Sequence, residues 1–181
     1  MNQAQIALLV LTVLFEGYSQ PDLGKALIAK TALARQEICQ CPIETVLFQP
    51  HQYRCWEVKL WNRIPARQVK LAWFNCTLHE SWPDPSCLPF EVDEEWWSDT
   101  WSLIEQVYYS TYPIPERYEG VLGYDNPLFW LKYDGNNPAS NGYTILGDVG
   151  DHRFWGNEFN YTIERKGRGA EIRTRISCAF R

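Results

Sequence analysis

The sequence predicts a mainly helical α+β domain with a small β-sheet or hairpin. Three stretches predict it. Residues 6–15 form an apolar run, residues 93–109 repeat large apolar side chains at helical spacing, and alternating segments at 159–165 and 171–179 flank Lys166-Gly167-Arg168-Gly169. At 181 residues the chain fits one domain, 1–181, with 158–181 as its C-terminal hairpin.

In chain order, the first helix is predicted over residues 3–15. Its apolar run lacks a basic leading segment and a small-residue cleavage site, so it reads as a core helix rather than a signal peptide. It is also shorter than the roughly 20 residues that span a bilayer, and no membrane insertion is expected. A second helix is predicted over 22–37, with Leu23, Ala26, Leu27, Ala29, Ala32 and Leu33 close to helical spacing. Pro42 and Pro50 bracket a short helical turn at 43–48, and a further helix over 56–78 is interrupted by Pro65. Pro83, Pro85 and Pro89 make 82–91 a loop. In the helix over 93–109, Trp97, Trp101, Ile104, Val107 and Tyr108 form a core stripe. Residues 112–141, dense in Pro, Gly, Asn and aromatics, read as irregular, the kind of segment that shapes clefts.

Composition narrows the function classes. Hydrophobic residues at 45% and charged ones at 22% belong to a globular chain, not a disordered one. Aromatics reach 15%, with nine Trp and ten Tyr; they fill cores and also make flat platforms for sugar rings. A net charge of -5, with only scattered Lys166, Arg168, Arg173 and Arg175 in the tail, disfavours nucleic acid as a partner. The six cysteines, Cys39, Cys41, Cys55, Cys76, Cys87 and Cys178, show no familiar pair spacing and are expected as free, partly buried thiols. Cys39 and Cys41 with His51 and Cys55 depart from the usual Cys-x2-Cys zinc pattern, so neither metal nor cofactor is expected. No serine or cysteine nucleophile sits in a recognisable triad context.

Glu16 is the residue from which chemistry can be argued. It follows the apolar run directly and precedes a turn-rich segment, 17–24, a position where a carboxyl group is half buried. Partial desolvation favours the protonated form, and such an acid can cleave glycosidic bonds. A solvated glutamate at a helix end is the other reading of that position.

Three blocks carry a resemblance. Glu16, Pro21, Gly24 and Arg35 fall in register with a Glu-Ala-Arg-Gly-Glu-Pro-x-x-Gly turn and the helix after it. Gln49-Pro50-His51-Gln52-Tyr53-Arg54-Cys55-Trp56 is similar to Gln-Pro-x-Gln-Phe-Ser-x-Trp, and Gly150-Asp151-His152-Arg153-Phe154-Trp155 to Gly-x-His-x-Phe-Tyr. Together they resemble the cell-wall hydrolase family named after the spore-cortex-lytic enzyme SleB, over residues 7–56 and 100–155. Gly17, Tyr18, Ser19 and Gln20 replace Ala, Arg, Gly and Glu of the turn, and Ala34 stands where the family usually has Asn. The second glutamate of the turn is therefore a neutral amide here.

The resemblance implies a lysozyme-like domain acting on peptidoglycan glycan strands at the bond between N-acetylmuramic acid and N-acetylglucosamine. Glu16 would be the catalytic acid, with Gln20, Gln52, Tyr53, Trp56, Tyr124 and His152 as substrate-contacting candidates. A lytic transglycosylase needs one acid, whereas a hydrolase normally wants a second carboxylate, for which Asp22, Glu44, Asp125 and Asp134 are the candidates. The rival expectation is a catalytically inactive wall-binding or virion-structural module of the same fold. A chain made in the cytoplasm without a signal peptide would reach the wall as a phage endolysin helped by a holin, inside a phage particle, or through another export partner. Its acidity means that affinity for the anionic wall must come from a cleft or a partner rather than from long-range attraction.

Overall fold

The computed structural model describes residues 3–49, 53–56, 64–126 and 143–156. Among the described residues, five α-helices lead into a three-stranded sheet. They are α1 (Gln3–Gly17), α2 (Asp22–Cys39), α3 (Ile43–Leu47), α4 (Ala66–Leu78) and α5 (Glu94–Tyr108), followed by β1 (Val121–Asp125), β2 (Thr144–Val149) and β3 (His152–Gly156). The expected mainly helical α+β class is what forms.

Helix α1 is the axis of the core. Ile6, Ala7, Leu8, Leu9, Val10, Leu11 and Val13 are all fully buried, so the helix is apolar on every side. It can be so because α2, α3, α4 and α5 all pack against it. Thr12, its one interior hydroxyl, donates to the Leu8 carbonyl at 2.8 Å and so remains satisfied inside the core. Among the described residues no helix is long and apolar enough to cross a membrane.

The other helices follow their local signals. Asp93 caps α5 by accepting the Trp96 N–H at 2.7 Å, and Trp97, Trp101, Ile104 and Val107 are buried, with Tyr108 half-buried at the end of the stripe. Helix α4 starts only at Ala66, behind Pro65, so the expected helix over 56–78 is shorter than its apolar pattern suggested. Proline fixes φ and donates no N–H, which suits the position just ahead of a helix. Trp56 instead ends a 3-10 turn, Arg54–Trp56, and residues 57–63 lie outside the described residues.

Two further expectations are corrected. Residues 112–141 are not irregular throughout: they contain a 3-10 turn, Glu116–Tyr118, and the strand β1. The cysteines are not all free either. Cys76 is bonded to Cys87, tying the end of α4 to the Pro85–Cys87 turn, and Cys39 is also in a disulfide, while Cys41 and Cys55 are thiols. Because the Cys76–Cys87 link closes a loop of 11 residues, the Cys76→Ser/Cys87→Ser pair is expected to cost about 3 kcal/mol. A urea midpoint unchanged by the double substitution would contradict that.

The sheet has the order β1-β3-β2, antiparallel throughout, with Tyr124 opposite Phe154 and Asp148 opposite Arg153. Register shifts at Gly123 and Gly147 break the regular ladder in both pairs. β2 and β3 are joined by a turn at Gly150, whose φ of 56° is left-handed and where a Cβ would run into Oε1 of Gln20. The hairpin expected over 159–165 and 171–179 lies outside the described residues.

Candidate active site

Glu16 is the first charged side chain of α1, and it is half-buried at the C-terminal end of the helix. That end carries the negative pole of the backbone dipoles, an unfavourable place for a carboxylate unless donors face it. The 53–56 turn supplies one. The Cys55 N–H donates to Glu16 Oε1 at 3.2 Å.

The turn is held by Trp56. The indole is 2 % exposed, packs edge-on against Phe15 and Phe48, and donates its Nε1–H to Thr12 Oγ1 at 3.1 Å. Thr12 lies one turn before Glu16 on α1, so the anchor and the carboxylate share one rigid rod. The Trp56 N–H closes the turn on the Tyr53 carbonyl at 3.0 Å.

The sheet brings the rest of the cluster. The Tyr124 ring on β1 lies 6.5 Å from that of Tyr53 and 5.0 Å from that of His152 on β3. Arg35 of α2 reaches across, with its guanidinium 5.7 Å from the Tyr53 ring and its Nε donating to the Leu122 carbonyl at 2.8 Å. Gln20 makes the second tie between helices and sheet: Oε1 accepts the Asp151 N–H at 3.0 Å and Nε2 donates to Asp151 Oδ2 at 3.4 Å.

The electrostatics set the roles. The Tyr53 phenol is pushed up to about 12, by burial first, with Arg35 opposing the rise and Glu16 and Cys55 adding to it. Tyr124 is held well above the usual phenol value, mainly by burial and then by the Glu16 charge. The Cys55 thiol is raised by burial first, then by the Glu16 charge. At neutral pH these groups are uncharged donors around one carboxylate. Tyr53 Oη and His152 Nδ1 are buried and have no hydrogen-bond partner among the described residues.

Burial also lowers the His152 imidazole below its ordinary value of 6.5, against an opposing pull from Asp151. Such a group binds fewer protons folded than unfolded, so its contribution is complete above about pH 6.5 and is lost as pH falls through the folded value. The melting temperature is therefore expected to drop between pH 7 and pH 5, and to drop less in His152→Phe. Parallel pH curves for the two proteins would refute the assignment.

Of the residues expected to form the site, the fold gathers Glu16, Tyr53, Tyr124 and His152. Gln20 lies nearby but is only 6 % exposed, and its amide is engaged by Asp151. Trp56 supports the site from below rather than lining it. Gln52 lies outside the described residues. Sequence reasoning passed over Cys55 and Arg35 as site residues, although one lies inside the glutamine-aromatic block and the other was in register with the first. Cys39, being disulfide-bonded, supplies no thiolate for the zinc arrangement considered from sequence.

Known proteins give no further lead. The chain matches no protein family, no curated protein and no solved structure.

Elsewhere, a recess of about 880 Å³ lies between the 83–94 segment and α5, walled by Leu88, Phe90, Trp97 and Trp101. A second, of about 500 Å³, is lined by Leu14, Phe15, Tyr18 and Phe90. Neither is lined by Glu16.

Proposed function

We propose that the chain degrades peptidoglycan by cleaving the N-acetylmuramic acid to N-acetylglucosamine bond, as a lytic transglycosylase with Glu16 as its acid. The observation that carries this reading is a half-buried carboxylate at the end of an otherwise uncharged core helix, held by the Cys55 N–H, with the neutral Tyr53 and Tyr124 phenols and the Arg35 guanidinium in the same cluster. The three-block resemblance to the SleB-like hydrolases names the bond. Glu16 protonates the glycosidic oxygen as positive charge builds on the muramic ring. As carboxylate it then takes the proton of that sugar's C6 hydroxyl, which closes a 1,6-anhydro ring. Tyr124 and His152, both half-buried beside each other on the sheet, are the residues of the cluster that face a sugar, with Tyr53 buried behind them.

The single-acid route needs no second carboxylate, and the candidates for one stand as follows. Asp22 is exposed and paired with Lys25 at 3.4 Å and the Asp125 Oδ1 accepts the Asn126 N–H; Glu44, half-buried on α3, has an Oε2 without a hydrogen-bond partner among the described residues, and Asp134 lies outside them. The disulfide at Cys76–Cys87 and the bonded state of Cys39 suit a protein that works in an oxidising compartment, as a wall enzyme does. One observation favours the rival reading, a non-catalytic wall-binding or virion-structural module: Gln20 replaces the second glutamate of the family's turn and serves as a structural tie.

Purified sacculi incubated with the protein decide between them, with soluble products read by mass spectrometry. Anhydro-muropeptides released by the wild type but not by Glu16→Gln are the expected result. Products with reducing ends mean that water is the nucleophile, and no release from the wild type means a binding module.

A further inference from the structure

We propose that the recess between the 83–94 segment and α5 is a binding site for an organic cation, an ammonium group carried on an apolar body. The proposal stands apart from the reading of Glu16, which does not line this recess.

The sequence of α5 builds one wall. Glu94, Ser98 and Ser102 recur every four residues and Trp97 and Trp101 form the neighbouring row, so a polar stripe and an aromatic stripe of the same helix border the recess. The opposite wall carries Pro83, Pro85 and Pro89 and is pinned by three ties. Trp97 donates its Nε1–H to the Pro83 carbonyl at 2.7 Å. Asp84 accepts the N–H and the hydroxyl of Ser86, each at 2.8 Å, and Cys87 is bonded to Cys76 of α4. The recess is therefore preformed, and its volume of about 880 Å³ is that of a small-molecule site.

Charge selects the ligand. Asp84, Glu91 and Glu94 border the recess, and the described residues that line it include no Lys, Arg or His. The two hydrogen bonds from Ser86 hold the Asp84 carboxyl below its ordinary value, so it is ionised at neutral pH. An entering anion would meet three like charges with no counter-charge among those walls, whereas a cation is drawn in. Leu88, Phe90, Trp97 and Trp101 supply the apolar surface for the body of the ligand. Aromatic ring faces are the negative pole of the ring quadrupole and favour an ammonium over a neutral group of the same shape. A bare metal ion does not suit the recess, since the described residues hold no cluster of three His, Cys, Asp or Glu side chains able to ligate one.

The test titrates benzyltrimethylammonium into the isotope-labelled full chain and follows the indole N–H resonances of Trp97 and Trp101 by NMR. Phenylacetate and benzyl alcohol serve as an anion and a neutral molecule with the same ring. Saturable shifts are expected for the cation, with a Kd on the order of 1 mM for a ligand of this size, and binding of the two controls about tenfold weaker or more. Glu91 and Glu94 are both exposed, so the Glu91→Gln/Glu94→Gln pair should keep its melting temperature while its affinity for the cation falls about three- to tenfold. Raising the salt concentration should weaken the wild type toward the double variant. Equal affinity for the three ligands overturns the proposal, because the recess would then be apolar without charge selection. So does unchanged affinity in the double variant, or saturation that leaves both indole resonances unmoved. Shifts of those resonances by an N-acetylglucosamine trimer but not by the cation would make the recess a glycan subsite instead.

Discussion

Glu16→Gln is expected to lower the rate of sacculus solubilisation by about 10²–10⁴-fold, the usual contribution of a positioned general acid. The amide has the shape of the carboxylic acid and still accepts the Cys55 N–H through Oε1, so the fold should hold. Removing a negative charge from the C-terminal end of α1 is neutral or slightly favourable for that helix. Glu16→Asp separates position from chemistry. It keeps an acid but withdraws it by one methylene, and displacement of a reacting group by about 1 Å can cost about 10²-fold. Initial rates of turbidity loss, with melting curves on the same samples, give both numbers. Wild-type rates in Glu16→Gln would remove Glu16 from the mechanism.

Trp56→Ala is expected to have the largest effect on stability, about 3–5 kcal/mol, since it deletes a fully packed indole from the centre of the core. The lost area is only part of the cost. Phe15 and Phe48 lose their aromatic neighbour, and Thr12 loses the donor that satisfied its oxygen. Trp56→Phe keeps a ring and loses the N–H, and should cost about 1 kcal/mol for the missing hydrogen bond, plus whatever the smaller ring leaves unfilled. Urea unfolding ranks the two. The same turn carries Cys55, so activity should fall in Trp56→Ala even where the protein remains folded. A cost for Trp56→Ala no greater than that for Trp56→Phe would mean that the indole is not the anchor.

Helices were the legible part of this fold. Residues 3–15, 22–37, 43–48 and 93–109 carry repeating apolar positions with Pro, Asp or Gly at their edges, and each forms within a few residues of its expected bounds. Strands of five or six residues offered much less. β1 (Val-Leu-Gly-Tyr-Asp) and β2 (Thr-Ile-Leu-Gly-Asp-Val) each have a glycine where the ladder shifts register, and a shift resets the two-residue alternation by which a strand is read. The pairing of Cys76 with Cys87 depends on the path of the chain between α4 and the following turn, which spacing alone does not reveal.

The site was legible in its parts. Glu16 stood out because an apolar helix ends on a charge, and Tyr53, Tyr124 and His152 do gather near it. Gln20, Trp56 and Cys55 were harder to judge. Whether an amide or an indole faces solvent or another part of the chain is decided by contacts such as those with Asp151 and Thr12. The partner of Gln20 lies 131 residues away.

That distant contact also constrains the order of mutation at this site. With both amide atoms of Gln20 engaged by Asp151, a Gln20→Glu change would set one carboxylate against another at a partly buried contact. Positions 20 and 151 therefore behave as an epistatic pair. A route toward a sequence with glutamate at 20 passes first through a neutral or basic residue at 151, because the reverse order crosses a repulsive intermediate.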